Sequence, residues 1–102
     1  MDLAKLRELI ASNRFEWRKH TLLRLAVRNI AQRVIIEAIT KGDVIEDYPR
    51  DRLFPSCLIL AWVGGKPYHV VVSLDEGNEI AYIITAYEPT LDKFLPDYRT
   101  RR

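Results

Sequence analysis

"SCLILAWVGGKPYHVVVSLDEGNEIAYIITAY", residues 56–87, is the stretch whose reading decides the fold. It contains three runs rich in branched and aromatic residues, "SCLILAWV", "YHVVVSL" and "EIAYIITAY", separated by "GGKP" and "DEGN". Such side chains suit a pleated, half-buried surface, and the links carry hairpin-turn chemistry. Links this short allow only antiparallel neighbours, because a parallel crossover needs about a dozen residues or more. Residues 56–87 therefore predict a meander. Just upstream, "DVIEDY" (43–48) predicts a fourth strand with Val44, Glu46 and Tyr48 on one side, and "PRDRLFP" is a loop bracketed by two prolines.

Before Gly42 the apolar period changes from two to that of a helix. Asp2 can cap a first helix carrying Leu3, Leu6, Leu9 and Ile10 through about Ser12. "NRFEWR" interrupts the pattern and presents Phe15 and Trp17 on one side of an extended segment. A second helix is expected from about Arg18 to Arg28. A third follows over "AQRVIIEAITKG", with Val34, Ile35, Ala38 and Ile39 as its stripe and Gly42 in the left-handed position past its end. The expected architecture is α+β: two to three N-terminal helices packed on one face of a four-stranded antiparallel meander sheet. Residues 1–102 are read as one domain, with an N-terminal helix (1–14), a core (15–89) and a tail (90–102). Pro89 and Pro96 suggest that the tail wraps over the surface or pairs with a partner.

Apolar residues at 48% and charged residues at 29% fit a globular chain and exclude a disordered one. No run approaches the roughly 20 apolar residues of a membrane span, and charges interrupt the N-terminal apolar pattern, so no signal peptide is expected. Cys57 stands alone and no Cys/His cluster has zinc-ligand spacing, which points to the cytoplasm and to no metal and no cofactor. Walker loops, dinucleotide fingerprints and nucleophile elbows are absent. Residues 1–42 hold 9 Lys/Arg against 4 Asp/Glu, and residues 43–87 hold 3 against 7, so the first part is basic and the middle acidic. An anionic partner on the N-terminal part and an internally complementary domain both fit that asymmetry.

"HTLLRLAVR" spaces His20, Arg24 and Arg28 at i, i+4 and i+8, one stripe of a helix. Like charges at this spacing repel by a few tenths of a kcal/mol, a cost that an anion or carboxylates opposite would offset. One reading is an anion site, with guanidinium forks on phosphate and a histidine to move a proton near neutral pH. The other is a solvated seam in which Arg24 and Arg28 pair with Glu46, Asp47 or Glu88. His69, within a strand of valines, is either half-buried and hydrogen-bonded or part of a site. By parity it shares a face with Val71 and Ser73, while Ala81, Ile83, Thr85 and Tyr87 share one face of their own strand. Cys57, Trp17 and Trp62 read as core or interface.

The succession "FEWRKHTLLRLAVRNI", "VIIEAITKGDVIEDYP", "PSCLILAWVGGKPYHVVV", "AYIITAYEP" resembles the domain of unknown function 4258 family over about Phe15 to Pro89. The shared features are a histidine and arginine four apart on a helix, Gly-x-x-x-Glu-x-Tyr entering the sheet, Pro-x-His in one strand and Thr-x-Tyr-x-Pro closing the last. Val27 and Asn29 stand where members often carry an acidic residue and a glycine, which weakens the carry-over at Arg28 more than at His20 or Arg24. The layout is similar to small RelE- and MqsR-type toxin ribonucleases, and members often lie beside zinc-finger antitoxin genes. The resemblance implies a RelE-like toxin of a type II toxin–antitoxin module that cleaves RNA without a metal, with a zinc-finger antitoxin as partner. His20 and His69 would divide acid and base work, Arg24 with Arg28 would hold phosphate, Thr85 or Tyr87 would orient it, and Glu46 would be a reserve base. The alternative is a non-catalytic module that binds RNA or protein through the same stripe.

Overall fold

The computed structural model describes all of residues 1–102. Three helices, α1 (Leu3–Ala11), α2 (Lys19–Arg28) and α3 (Gln32–Lys41), accompany five strands: β1 (Phe15–Trp17), β2 (Asp43–Tyr48), β3 (Ser56–Val63), β4 (Lys66–Asp75) and β5 (Ile80–Tyr87). Asp2 caps α1 by accepting a hydrogen bond from the Lys5 backbone N–H. The sheet order is β1-β5-β4-β3-β2. Strands β2 to β5 pair antiparallel in the expected meander.

The expected four antiparallel strands are corrected to a mixed sheet of five. Phe15–Trp17 pairs parallel with Ala81–Ile83 on the outer edge of β5. Short links govern only strands adjacent in sequence; β1 and β5 are joined through almost the whole domain and can run parallel. This pairing covers the first part of an edge that would otherwise be open. Beyond it α2 takes over: its Thr21 hydroxyl donates to the Ile83 (3.3 Å) and Ile84 carbonyls, while Arg28 Nη1 donates to the Ala86 carbonyl at 2.8 Å.

Alternation sends Cys57, Ile59 and Ala61 of β3 and Tyr68, Val70 and Val72 of β4 against Leu6, Leu9, Leu25, Ile35 and Ile39 of the helices, forming the main core. Gly42 follows α3 in an extended conformation (φ −78°, ψ 176°) rather than the expected left-handed one. Its requirement is close approach: a Cβ there would lie 2.6 Å from the Ala38 carbonyl oxygen and 2.7 Å from that of Leu60. The left-handed helix end is instead Asn29, after α2, at φ 56°.

The second face of the sheet is covered as well. Leu58, Leu60 and Phe94 are buried, yet stand outside the main core. Residues 93–102 fold into a small hairpin, with Arg102 N–H donating to the Lys93 carbonyl (2.9 Å), Leu95 N–H to that of Thr100 (2.8 Å), and Phe94 bridged to Arg101. The Asp97 carboxylate accepts from the backbone N–H groups of Arg99 and Thr100 at its turn. The tail thus wraps back over its own sheet. No helix is long and apolar enough to cross a membrane.

Candidate functional site

The pairing of β4 with β5 slips between Val71 and Val72: Val72 faces Ile83, but Val71 faces Thr85. Ile84 is the extra residue of a β-bulge. Simple parity put Ala81, Ile83, Thr85 and Tyr87 on one face. After the bulge it is Ala86 that joins Ala81 and Ile83 in the core, and Thr85 and Tyr87 turn to the opposite face. Tyr87 then sits directly across from His69, on the face covered by the tail.

His69 is fully buried. Its Nε2 lies 2.8 Å from the Tyr98 carbonyl oxygen. A carbonyl only accepts, so Nε2 carries the proton and Nδ1 is left as a bare acceptor. That acceptor lies 3.4 Å from the Tyr87 hydroxyl, which is therefore the donor. The distance is long for a hydrogen bond, and contacts of this kind tighten when a reacting group is bound. The Phe94 ring meets the imidazole edge-to-face with centroids 4.6 Å apart. Burial pushes the His69 pKa below the ordinary histidine value and the Tyr87 pKa above the ordinary tyrosine value. A neutral imidazole therefore backs a neutral phenol.

Tyr87 opens onto a cleft of about 460 Å³, lined also by Arg28, Glu88, Pro89, Thr90, Lys93, Phe94 and Arg101. Arg28 reaches it because its anchor on the Ala86 carbonyl fixes one N–H and leaves the rest of the fork free. Arg101 donates to both carboxylate oxygens of Glu46, at 2.6 and 3.0 Å, and lies over the Phe94 ring at 4.9 Å. The Arg101 hydrogen bond, helped by the Tyr48 hydroxyl, holds the Glu46 pKa below the usual carboxylate range despite partial burial. Three cationic side chains, one carboxylate from Glu88 and one phenol thus share the cleft. Glu88 forms no ion pair, and neither Arg24 nor Arg28 pairs with a carboxylate. The solvated seam is not formed: Glu46 belongs to Arg101 and Asp47 binds the N-terminal ammonium at 2.9 Å. No three His, Cys, Asp or Glu side chains are grouped so as to hold a metal ion.

Of the residues singled out from sequence, Arg28 and Tyr87 line the cleft, His69 lies behind Tyr87, and Glu46 touches it through Arg101. Thr85 is half-buried opposite Val71 and does not line it. His20 and Arg24 are exposed on α2. At about 1.5 Å per residue they stand about 12 and 6 Å back from Arg28 along the helix axis, so the stripe leads to the cleft without filling it. The residue whose flanking sequence departs most from the expected pattern is the one that enters. Sequence reasoning missed Glu88 as a lining group, and with it Lys93, Phe94 and Arg101 of the tail.

The sequence profile of the domain of unknown function DUF4258 matches residues 17–88. The chain belongs to the DUF4258 family. No curated protein matches it. The DUF4258 segment carries α2, His69, Tyr87 and Glu46, whereas Phe94, Tyr98 and Arg101 lie beyond its end.

Proposed function

We propose that this DUF4258 protein is a metal-independent endoribonuclease, a RelE-like toxin component whose cleft takes an RNA phosphodiester. The observation that carries the reading is the Tyr87 hydroxyl, set against the bare Nδ1 of His69 and facing a cleft with Arg28, Lys93 and Arg101. Guanidinium forks and an ammonium in one concavity match a phosphodiester and the extra charge it gains in the transition state. A phenol that burial keeps protonated is a proton donor. In the free cleft its one proton points at Nδ1 of His69, and the hydroxyl turns to give it to the leaving oxygen when a phosphodiester is bound.

The step balances with the groups present. Glu88 takes the proton of the ribose 2′-hydroxyl, the 2′-oxygen forms a bond to phosphorus, and the bond to the 5′-oxygen breaks. Tyr87 gives its proton to that leaving oxygen. The products are a 2′,3′-cyclic phosphate and a 5′-hydroxyl, and solvent returns the Glu88 proton to Tyr87. His20 and Arg24 contact neighbouring phosphates of the strand. In this reading the cytoplasmic partner is a zinc-finger antitoxin that covers the cleft.

The test is incubation of purified protein with single-stranded RNA in the presence of a chelator. Wild type is expected to yield cyclic-phosphate ends, and Tyr87→Phe and Arg28→Gln to lose about 100-fold or more in rate. Salt-dependent RNA retention without cleavage would favour the binding-module alternative. No effect of wild-type expression on growth would count against the toxin reading.

A further inference from the structure

The hairpin at residues 93–102 lies outside the DUF4258 segment, yet it supplies two groups that cover His69 on the second face of the sheet. The Tyr98 carbonyl accepts from Nε2, and the Phe94 ring packs on the imidazole. Tyr98 presents its carbonyl from the hairpin turn in a left-handed conformation, φ 56°. That geometry holds only while the hairpin is seated. Four attachments seat it: Phe94, 3% exposed; the edge-to-face contact of Tyr98 with Trp62, centroids 5.8 Å apart; the Arg99–Asp43 pair at 3.1 Å; and the two-pronged Arg101–Glu46 pair.

The two ion pairs are not equivalent. Arg99 and Asp43 are 48% and 68% exposed and make a single contact, the kind of pair that contributes little. The Glu46 side chain is only 19% exposed and accepts from Tyr48 as well. The Arg101 guanidinium lies over the Phe94 ring while it binds Glu46. Its hold on Glu46 therefore also holds Phe94 and, through the turn, the Tyr98 carbonyl.

We propose that Arg101 and Glu46 are positioning residues for His69: their ion pair seats the C-terminal hairpin so that the Tyr98 carbonyl fixes the imidazole with its proton on Nε2 and Nδ1 open to Tyr87. Its consequence for RNA cleavage rests on the function proposed above; the positioning itself does not. The family segment alone thus holds the histidine and the tyrosine, and the tail sets which nitrogen faces which.

The experiment is ¹⁵N NMR of the His69 ring in the full chain without RNA, so its outcome is independent of whether RNA is cleaved. Wild type is expected to show a protonated Nε2 and an unprotonated Nδ1. Arg101→Gln lowers the preference for that form by about fivefold, the worth of one neutral hydrogen bond, with unchanged far-UV circular dichroism. Arg101→Lys restores part of it, and Arg99→Gln leaves it as in wild type. A wild-type ring protonated on Nδ1, or a signature unmoved in Arg101→Gln, overturns the proposal. So does an equal response in Arg99→Gln, which would make any loosening of the tail sufficient. Should Arg101→Gln fail to fold, Glu46→Gln read the same way decides: a shifted ring supports the proposal and an unshifted one refutes it.

Discussion

Thr21 tests the arrangement that brings Arg28 to the cleft. It is 2% exposed, and its hydroxyl donates to the carbonyls of Ile83 and Ile84 on the edge of β5, where the β1 pairing ends. Thr21→Val keeps the shape and removes the donor. The Ile83 carbonyl retains the Arg18 N–H at 3.2 Å, so the loss falls on the Ile84 carbonyl at the bulge. One carbonyl deprived of its partner in a buried setting costs about 1–3 kcal/mol. For a domain of this size that is a fall in Tm of about 5–15 °C. Thr21→Ser keeps the donor and loses one methyl, about 0.8 kcal/mol. Thermal denaturation followed by circular dichroism should therefore rank wild type above Thr21→Ser and Thr21→Ser above Thr21→Val. Hydrophobicity alone gives the reverse order for the two variants. If Thr21→Val melts at or above Thr21→Ser, the helix is held by apolar contact and the account of the clamped edge is wrong.

The same structure sets three further outcomes. Gly42→Ala should lower stability by about 1–3 kcal/mol in urea unfolding, because its Cβ meets two backbone oxygens at 2.6 and 2.7 Å; a neutral substitution would contradict that packing. His69 is held neutral with its pKa below 6.5, chiefly by burial. The unfolded chain therefore binds more protons, and stability present above about pH 6.5 is lost as pH falls from there towards the folded-state value. The Tm of wild type should decline over that window more steeply than that of His69→Gln, and equal slopes would refute the assignment. Burial raises the Cys57 thiol to about 11, so iodoacetamide at pH 8 should label it only after unfolding, as mass spectrometry would show.

The elements legible in the sequence are those whose period repeats. Leu6, Leu9 and Ile10 mark one helix face, Ile35, Ala38 and Ile39 another, and the valines of β4 with the hairpin turns on either side give three strands in order. Phe15–Trp17 is too short for any period to show, and its partner Ala81–Ile83 is more than sixty residues away. The bulge at Ile84 adds one residue without leaving a compositional mark, and it changes the face of Tyr87. That slip is why the candidate site is only partly visible in the sequence: His69 and Tyr87 both stand out, but parity does not place them opposite each other. The tail carries a usable signal in "PDYRT", a turn sequence with Asp97 able to accept from its own backbone, which hints at a hairpin. Nothing in it indicates that Arg101 reaches Glu46, because a long-range ion pair has no local period.

The most direct measurement of the central claim is the rate at which single-stranded RNA is cleaved by wild type and by Tyr87→Phe in the presence of chelator, both confirmed folded by their melting curves. The account predicts cyclic-phosphate products from wild type and a loss of about 100-fold or more in the variant, which lacks only the oxygen that faces His69. Intact RNA with folded wild type, or equal rates for the two proteins, would contradict it.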